Sequence, residues 1–462
     1  MSAPTIAQAF ADTVAARPGA PALRGDVGDH RELTWAGYAD RACRVAAWLE
    51  RAGFRRGAGV GLLMESRPEF HIADMGAMLA GGVPVSLSTQ WPVHRVRHLL
   101  RRARAEVLFA ESDRAAERVL AGDPGLPELR QVVVLDGTGP DVRWQRFGRM
   151  LDGPPVGLAA AAGRVRPADP ATVLPDSSEQ DAVLLSQANL VAGVRGCAAA
   201  LGSGLAGLRT LSALPMTDIA GRLTAHYAPA VLGIEVATCA DPAELDATIA
   251  RLHPELLALP ACHWEDYRAV ITASLAGDPG RCRRFASVKR LGRELRRWPA
   301  DGAVARARWR HWHHERAETV EPLLRSLGLD ALRAASYPVR PEPLSELTAD
   351  FFLDLGVPLA PHYGRPEASG AVTWDPHDVV VGTVGKPLPV TRVKISPAGE
   401  VLLRGPAVFS DYLGGPARSA FDPDGWFRTG DIGQFDGRGN LRILGRRNAS
   451  GATRAECPSV AG

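Results

Sequence analysis

Short apolar runs alternate with amphipathic helical stretches along most of the chain, and this alternation narrows the fold more than any other feature. Over residues 35–53, Tyr38, Ala42, Val45, Ala46 and Leu49 recur at helical spacing until Gly53 stops the pattern. Residues 5–20 read as an earlier amphipathic helix. Residues 59–64 then form a short, wholly apolar run, followed by a helix over 68–79, a Gly81-Gly82 turn and a second run over 83–87. Further apolar runs stand at 107–109 and 131–135. The theme repeats in the middle: strands at 210–214, 235–238 and 256–259 are separated by helices at 219–232 and 242–252. Strands this apolar must be covered on both faces. With a helix between each pair, they predict an α/β fold built on parallel sheets.

With 462 residues, 46% of them hydrophobic, the chain has material for a large core and for more than one subdomain. The formal charge of +3 indicates neither a nucleic acid nor an acidic surface as partner. The basic residues are nearly all Arg; Lys289, Lys386 and Lys394 are the only lysines, so chemistry that needs lysine has few candidates. Six scattered cysteines without a C-x-x-C pair suggest a reduced, cytoplasmic setting. The N-terminal stretch does not read as a signal peptide, and no apolar run approaches the ~18 residues of a membrane span. Residues 300–335 read as charged and helical. After about 378 the pattern changes to short strands with turns, which predicts a small antiparallel β unit. Residues 448–462 show no periodicity and read as a disordered tail. The reading divides the chain into α/β subdomains over 1–170 and 171–377, a β-barrel subdomain over 378–445, and a hinge remnant and tail over 446–462.

Three strings near the C-terminus carry a family resemblance: Gly382-Thr-Val-Gly-Lys-Pro-Leu-Pro389, Gly399-Glu-Val-Leu-Leu-Arg-Gly-Pro406 and Asp424-Gly-Trp-Phe-Arg-Thr-Gly-Asp431. In this order they resemble the adenylate-forming superfamily, nearest in character to long-chain fatty acyl-CoA synthetases. Leu33-Thr-Trp-Ala-Gly-Tyr38, Leu214-Pro-Met-Thr-Asp-Ile-Ala-Gly-Arg222 and His362-Tyr-Gly-Arg-Pro-Glu-Ala-Ser-Gly370 agree with it. The resemblance implies two doubly wound α/β subdomains plus a small β-barrel, with the active site in the crevice between them. It also implies ATP-dependent adenylation of a carboxylic acid and transfer to coenzyme A. A shared fold does not by itself carry that chemistry; the site has to.

Several site positions depart from the family pattern. The family's Ser/Thr/Gly-rich phosphate loop, ending in Pro-Lys-Gly, should fall between residues 173 and 189. The segment there has neither Gly nor Lys and carries Asp176, Glu179 and Asp181, whose charge opposes a polyphosphate. Pro366 stands where the family has Thr. Glu367, by resemblance the magnesium-associated acid, remains, as do the ribose-side Asp431 and Arg446. Tyr337 falls on the expected adenine side. The reading expects neither the family's C-terminal domain nor its catalytic lysine.

The favoured expectation is a synthetase homologue repurposed for an ATP-independent step on a hydrophobic acyl or polyketide-like substrate. Glu367, His362, Asp218, His226 and Arg222 are its catalytic candidates. Tyr363, Gly364, Tyr337, His263 and Trp264 are its pocket, and no cofactor is expected. Two alternatives stay open: a residual ligase using ATP, magnesium and CoA with a separate C-terminal domain, and a non-catalytic protein that binds a ligand or a partner such as a carrier protein. Two further clusters stand out. His311, His314 and Glu315 share a helical face at metal-like spacing, but in a run this basic a solvated face is the ordinary reading and no metal site is assigned. Cys262 and His263 adjoin a strand end; on extended chain such neighbours point apart.

Overall fold

In the computed structural model the described residues are 4–25, 32–122, 125–137, 144–175, 182–297, 302–339, 343–416, 420–447 and 453–454. Three sheets organise them. One has eight strands in the order Gly370–Trp374, Leu359–Arg365, Ala334–Pro338, Leu256–Ala258, Arg209–Ser212, Glu235–Thr238, Pro21–Arg24, Glu32–Thr34. Its six inner strands run parallel and each edge strand is antiparallel to its neighbour. A nine-stranded sheet is built around Gly59–Leu63, flanked by Val83–Leu87 and Ala105–Ser112, all parallel. The third is a five-stranded antiparallel sheet, with Phe427–Phe435 at its centre. The α/β fold predicted from the alternation is therefore present.

Local sequence explains the elements. Thr34 caps the helix Trp35–Arg51 by accepting from the Gly37 amide, and the spaced residues Tyr38, Ala42, Val45, Ala46 and Leu49 are all buried. Both faces of the strands Gly59–Leu63 and Val83–Leu87 are buried along their whole length, as parallel strands covered by helices should be. The helix Gln187–Leu201 begins with a reciprocal capping box, Ser186 with Asn189. Asn189 also donates to the carbonyls of Pro406 and Val408, at 2.9 and 3.1 Å, which fixes this helix against the loop after Arg404.

Two expectations need correction. Strand pairing crosses the boundary drawn at residue 170: Pro21–Arg24 and Glu32–Thr34 complete the eight-stranded sheet, while Pro170–Pro175, Ala182–Ser186 and Asp411–Tyr412 belong to the nine-stranded one. The C-terminal strands form an open sheet among the described residues, its edge strands Arg392–Ile395 and Thr453–Arg454 unpaired with each other, and not a closed barrel. Thr453 and Arg454, read as tail, pair with the strand Leu441–Arg447; the rest of that stretch lies outside the described residues.

Candidate functional site

A cavity of about 500 Å³ runs along one face of the eight-stranded sheet, from Leu256 and Ala334 at the strand starts to Pro338 and Gly364 at the carboxyl ends. The carboxyl ends are where an open α/β sheet ordinarily holds its ligand. Leu256, Leu257, Ala258 and Ala334 give one apolar wall, and Cys197, Leu201, Leu223, Ala228 and Leu232 supply another from the helices. The polar wall comes from Asp218, from His362 through Glu367, and from Asp431 and Arg446. Trp91 and Trp374 add aromatic surface, and the Arg95 guanidinium lies over the Trp91 ring at 4.1 Å.

Arg365 dominates the polar wall. Its Nη1 donates to Asp431 Oδ2 at 2.9 Å and to the Thr429 carbonyl at 2.8 Å. Its Nε and Nη2 reach the two oxygens of Glu367 at 3.2 and 3.1 Å, a bidentate pair. The Tyr363 hydroxyl donates to the same Asp431 oxygen at 2.6 Å. Burial alone would lower the Arg365 pKa, but Glu367, Tyr363 and Asp431 around it reverse that, so the guanidinium stays charged. One side chain thus neutralises both acids that the family pattern assigns to magnesium and ribose. Glu367 has both oxygens engaged, and Pro366 beside it offers no hydroxyl. In this arrangement the residues do not fit a magnesium ion.

Two polar groups on the wall are held differently. His362 is 8% exposed, and its ring has no hydrogen-bond partner among the described residues; burial takes its pKa down to about 4. A neutral imidazole therefore lines the cavity. Asp218 caps the helix Ile219–Arg222 through the Ala220 amide at 3.0 Å. Desolvation raises its pKa, against the lowering effect of the Ala220 and Ile219 amides. Asp218 is exposed, and it lines the cavity.

Arg222 and His226, proposed to share this wall, do not line the cavity. The segment Leu223–Tyr227 is a π-helix, and its wide turn sends Leu223 and Thr224 to the cavity while His226 and Tyr227 face away. Arg222, fully buried, pairs with Asp74 and contacts Ser86 and Tyr227. His226 Nε2 meets the other Asp74 oxygen at 2.9 Å, and its Nδ1 meets His71 Nδ1 at 2.9 Å. Burial, then His226 and Arg222, keep His71 neutral despite Asp74. This network ties the helix Pro68–Leu79 to the back of the cavity wall.

Other candidates also lie elsewhere. On the strand Ala334–Pro338, Ser336 and Pro338 face the cavity, so alternation turns Tyr337 to the opposite side, where it is buried in a separate apolar cluster. Trp264 is fully buried in that same cluster, against Phe352 and Tyr267. His263 does not line the cavity. It sits with Cys262 on a helix, Ala261–Ser274, where extended chain was expected, and the helical turn brings Sγ and Nδ1 to 3.5 Å at the exposed surface. Tyr363, Gly364, Asp431 and Arg446 do line the cavity. Asp176, Glu179 and Asp181 lie outside the described residues; the flanking Pro175 and Ala182 are directly paired across a hairpin. His311, His314 and Glu315 form no metal cluster among the described residues. The reading missed Arg365, although it stands between Tyr363 and Glu367 in the very string that carried the resemblance.

The sequence pattern of the AMP-binding enzyme family matches residues 10–413. The long-chain-fatty-acid–CoA ligase FadD15 of Mycobacterium bovis is 30% identical over 434 residues, covering 90% of this chain and 70% of that protein. Its Mycobacterium tuberculosis counterpart is 29% identical over the same shares. Among solved structures, the N-terminal domain of FACL13 from Mycobacterium tuberculosis superposes with a TM-score of 0.69 at 20% identity, covering 95% of this chain and 99% of that one. An anthranilate CoA ligase, AuaEII, solved with anthranoyl-AMP, gives 0.72 at 18% identity, covering 96% and 77%.

Proposed function

This chain belongs to the AMP-binding enzyme family, and from that premise we propose that it binds a hydrophobic acyl substrate in the 500 Å³ cavity and acts on it without forming an adenylate. The observation that carries the reading is Arg365, whose guanidinium already occupies the acids that adenylation would need for metal and ribose. Displacing it would strand two buried carboxylates, at a cost of several kcal/mol. The apolar walls suit an acyl or polyketide-like body. Arg95 and Arg446, neither with a carboxylate partner among the described residues, suit a carboxylate or a carrier-bound phosphopantetheine phosphate. Asp218, with its raised pKa, and neutral His362 are the groups placed for proton transfer next to an acyl carbonyl.

A second reading, ATP-dependent ligation, draws on the retention of Glu367, Asp431 and Arg446 along one wall and on the ligase names of the relatives. Calorimetric titration with ATP and magnesium separates the two. The proposal expects no saturable heat in protein shown to be folded, together with binding of a long-chain acid or its thioester. Saturable ATP binding would sink it and return the chain to ligation.

A further inference from the structure

The two faces of the eight-stranded sheet differ in a way that bears on the ligand. Residues along a strand alternate between faces. On the face away from the cavity, Leu211, Leu257, Ala335, Tyr337 and Leu359 pack into a separate apolar core. On the cavity face the same strands present Thr210, Ser336 and His362, with Ala258 and Ala334 among them. These three polar residues are 3%, 7% and 8% exposed, so little bulk water reaches them. None of their side chains has a hydrogen-bond partner among the described residues.

Buried hydroxyls ordinarily find a partner inside the protein. The other buried serine and threonines of this sheet do so. Ser212 accepts from Ser66 at 2.6 Å, Thr373 donates to the Val384 carbonyl at 2.7 Å, and Thr238 donates to the Arg24 carbonyl at 3.4 Å. Thr210 and Ser336 are therefore exceptions, and both line the cavity. Strand pairing sets them on one diagonal with His362. Thr210 stands beside Leu256, and so level with Ala334, two residues before Ser336. Pro338, two residues beyond Ser336, stands beside His362. With strands about 4.8 Å apart and residues about 3.3 Å apart along each, Thr210 lies about 12 Å from Ser336, and Ser336 about 8 Å from His362. The line runs from the strand starts to the polar wall.

We propose that the acyl substrate carries oxygen along its chain, as hydroxyl or keto groups, and that Ser336 and Thr210 select it by binding those groups. A plain hydrocarbon chain would cover these hydroxyls and leave them desolvated without a partner. An oxygenated chain supplies the partner: a serine or threonine hydroxyl donates to a keto oxygen, and donates to or accepts from a hydroxyl. A site that hydrogen-bonds a substrate oxygen rejects the analogue lacking it far more strongly than an apolar pocket separates two chain lengths. The polar diagonal thus favours a polyketide-like body over a simple fatty acyl one. The inference rests on the reading that the cavity holds an acyl chain, and does not depend on whether an adenylate forms.

The test is calorimetric titration of the full chain with stearic acid and with its hydroxy and keto derivatives, the oxygen placed at successive mid-chain carbons. At least one derivative is expected to bind about ten-fold or more tightly than stearic acid. In the double variant Thr210→Val, Ser336→Ala the preference should vanish, with the derivative binding more weakly and stearic acid at least as well as before. General damage to the fold would weaken both ligands together. Equal affinity of stearic acid and every derivative for the native protein would overturn the inference while leaving an acyl-binding cavity. Binding of none of them would overturn the acyl reading as well. A preference that survives in the double variant would take the recognition away from Thr210 and Ser336. Should that variant fail to fold, the comparison on the native protein still decides.

Discussion

Arg365 answers to two acids, so its removal should be felt as a stability change before it is felt as chemistry. Arg365→Ala leaves Glu367 and Asp431 buried without a counter-charge, 3% and 0% exposed respectively. Loss of one partner from such a pair costs about 3–5 kcal/mol. The loss should shrink at acid pH, where the stranded acids take up protons; urea denaturation at neutral and acid pH checks both parts. His362 carries the opposite kind of prediction. Its folded pKa is near 4 against an ordinary value of 6.5, so between those limits the unfolded chain binds a proton that the folded one does not. The stability is complete above pH 6.5 and falls through that window, by up to about 3 kcal/mol from this group. His71, shifted down in the same direction, adds to the fall. In His362→Gln the slope of stability against pH should be shallower by about one proton; an unchanged slope would mean that the ring is hydrated in solution.

At the scale of elements, the π-helix and the turn after Glu367 shape the cavity. Asp74 is the hub behind the π-helix, accepting from Arg222 and His226. Asp74→Asn keeps the shape but removes the charge facing a buried guanidinium, and should cost about 3–5 kcal/mol, measured by thermal and chemical unfolding. Gly370 sits at φ +109, and a Cβ there would come 2.5 Å from Leu223, a cavity wall residue. Gly370→Ala should therefore cost about 1–3 kcal/mol and weaken ligand binding together, since the strain falls on the wall itself. These elements also mark where the sequence was legible. The apolar runs over 59–64, 83–87 and 235–238 could only be buried strands, and the helix over 35–53 followed from its spacing. The π-bulge has no such signature: Arg222 and His226 look alike on a ruler of 3.6 whether they face ligand or core. Tyr337 was misplaced for a simpler reason, because alternation along a strand needs a known starting face. Arg365 was legible as a residue but not as a clamp, since its two partners lie 2 and 66 residues away.

For the whole molecule, the ordering of strands matters more than their number. Pro21–Arg24 lies parallel to Glu235–Thr238, and Asp411–Tyr412 pairs with Ala182–Ser186, so each α/β sheet draws on distant parts of the chain. Sequence periodicity reports what lies next along the chain, and so divided it at residue 170. A break there should give two fragments that are insoluble when expressed apart and recover when expressed together; a soluble, folded 1–170 fragment would contradict the strand order. The same exchange sets a schedule for synthesis. The first strand from the N-terminus leaves the ribosome early, yet the strand it must lie beside is more than two hundred residues behind it. The nascent chain has to keep an unfinished sheet edge from sticking to its neighbours for that interval, so holding factors that shield such edges should raise the yield of this protein more than agents that only speed local folding.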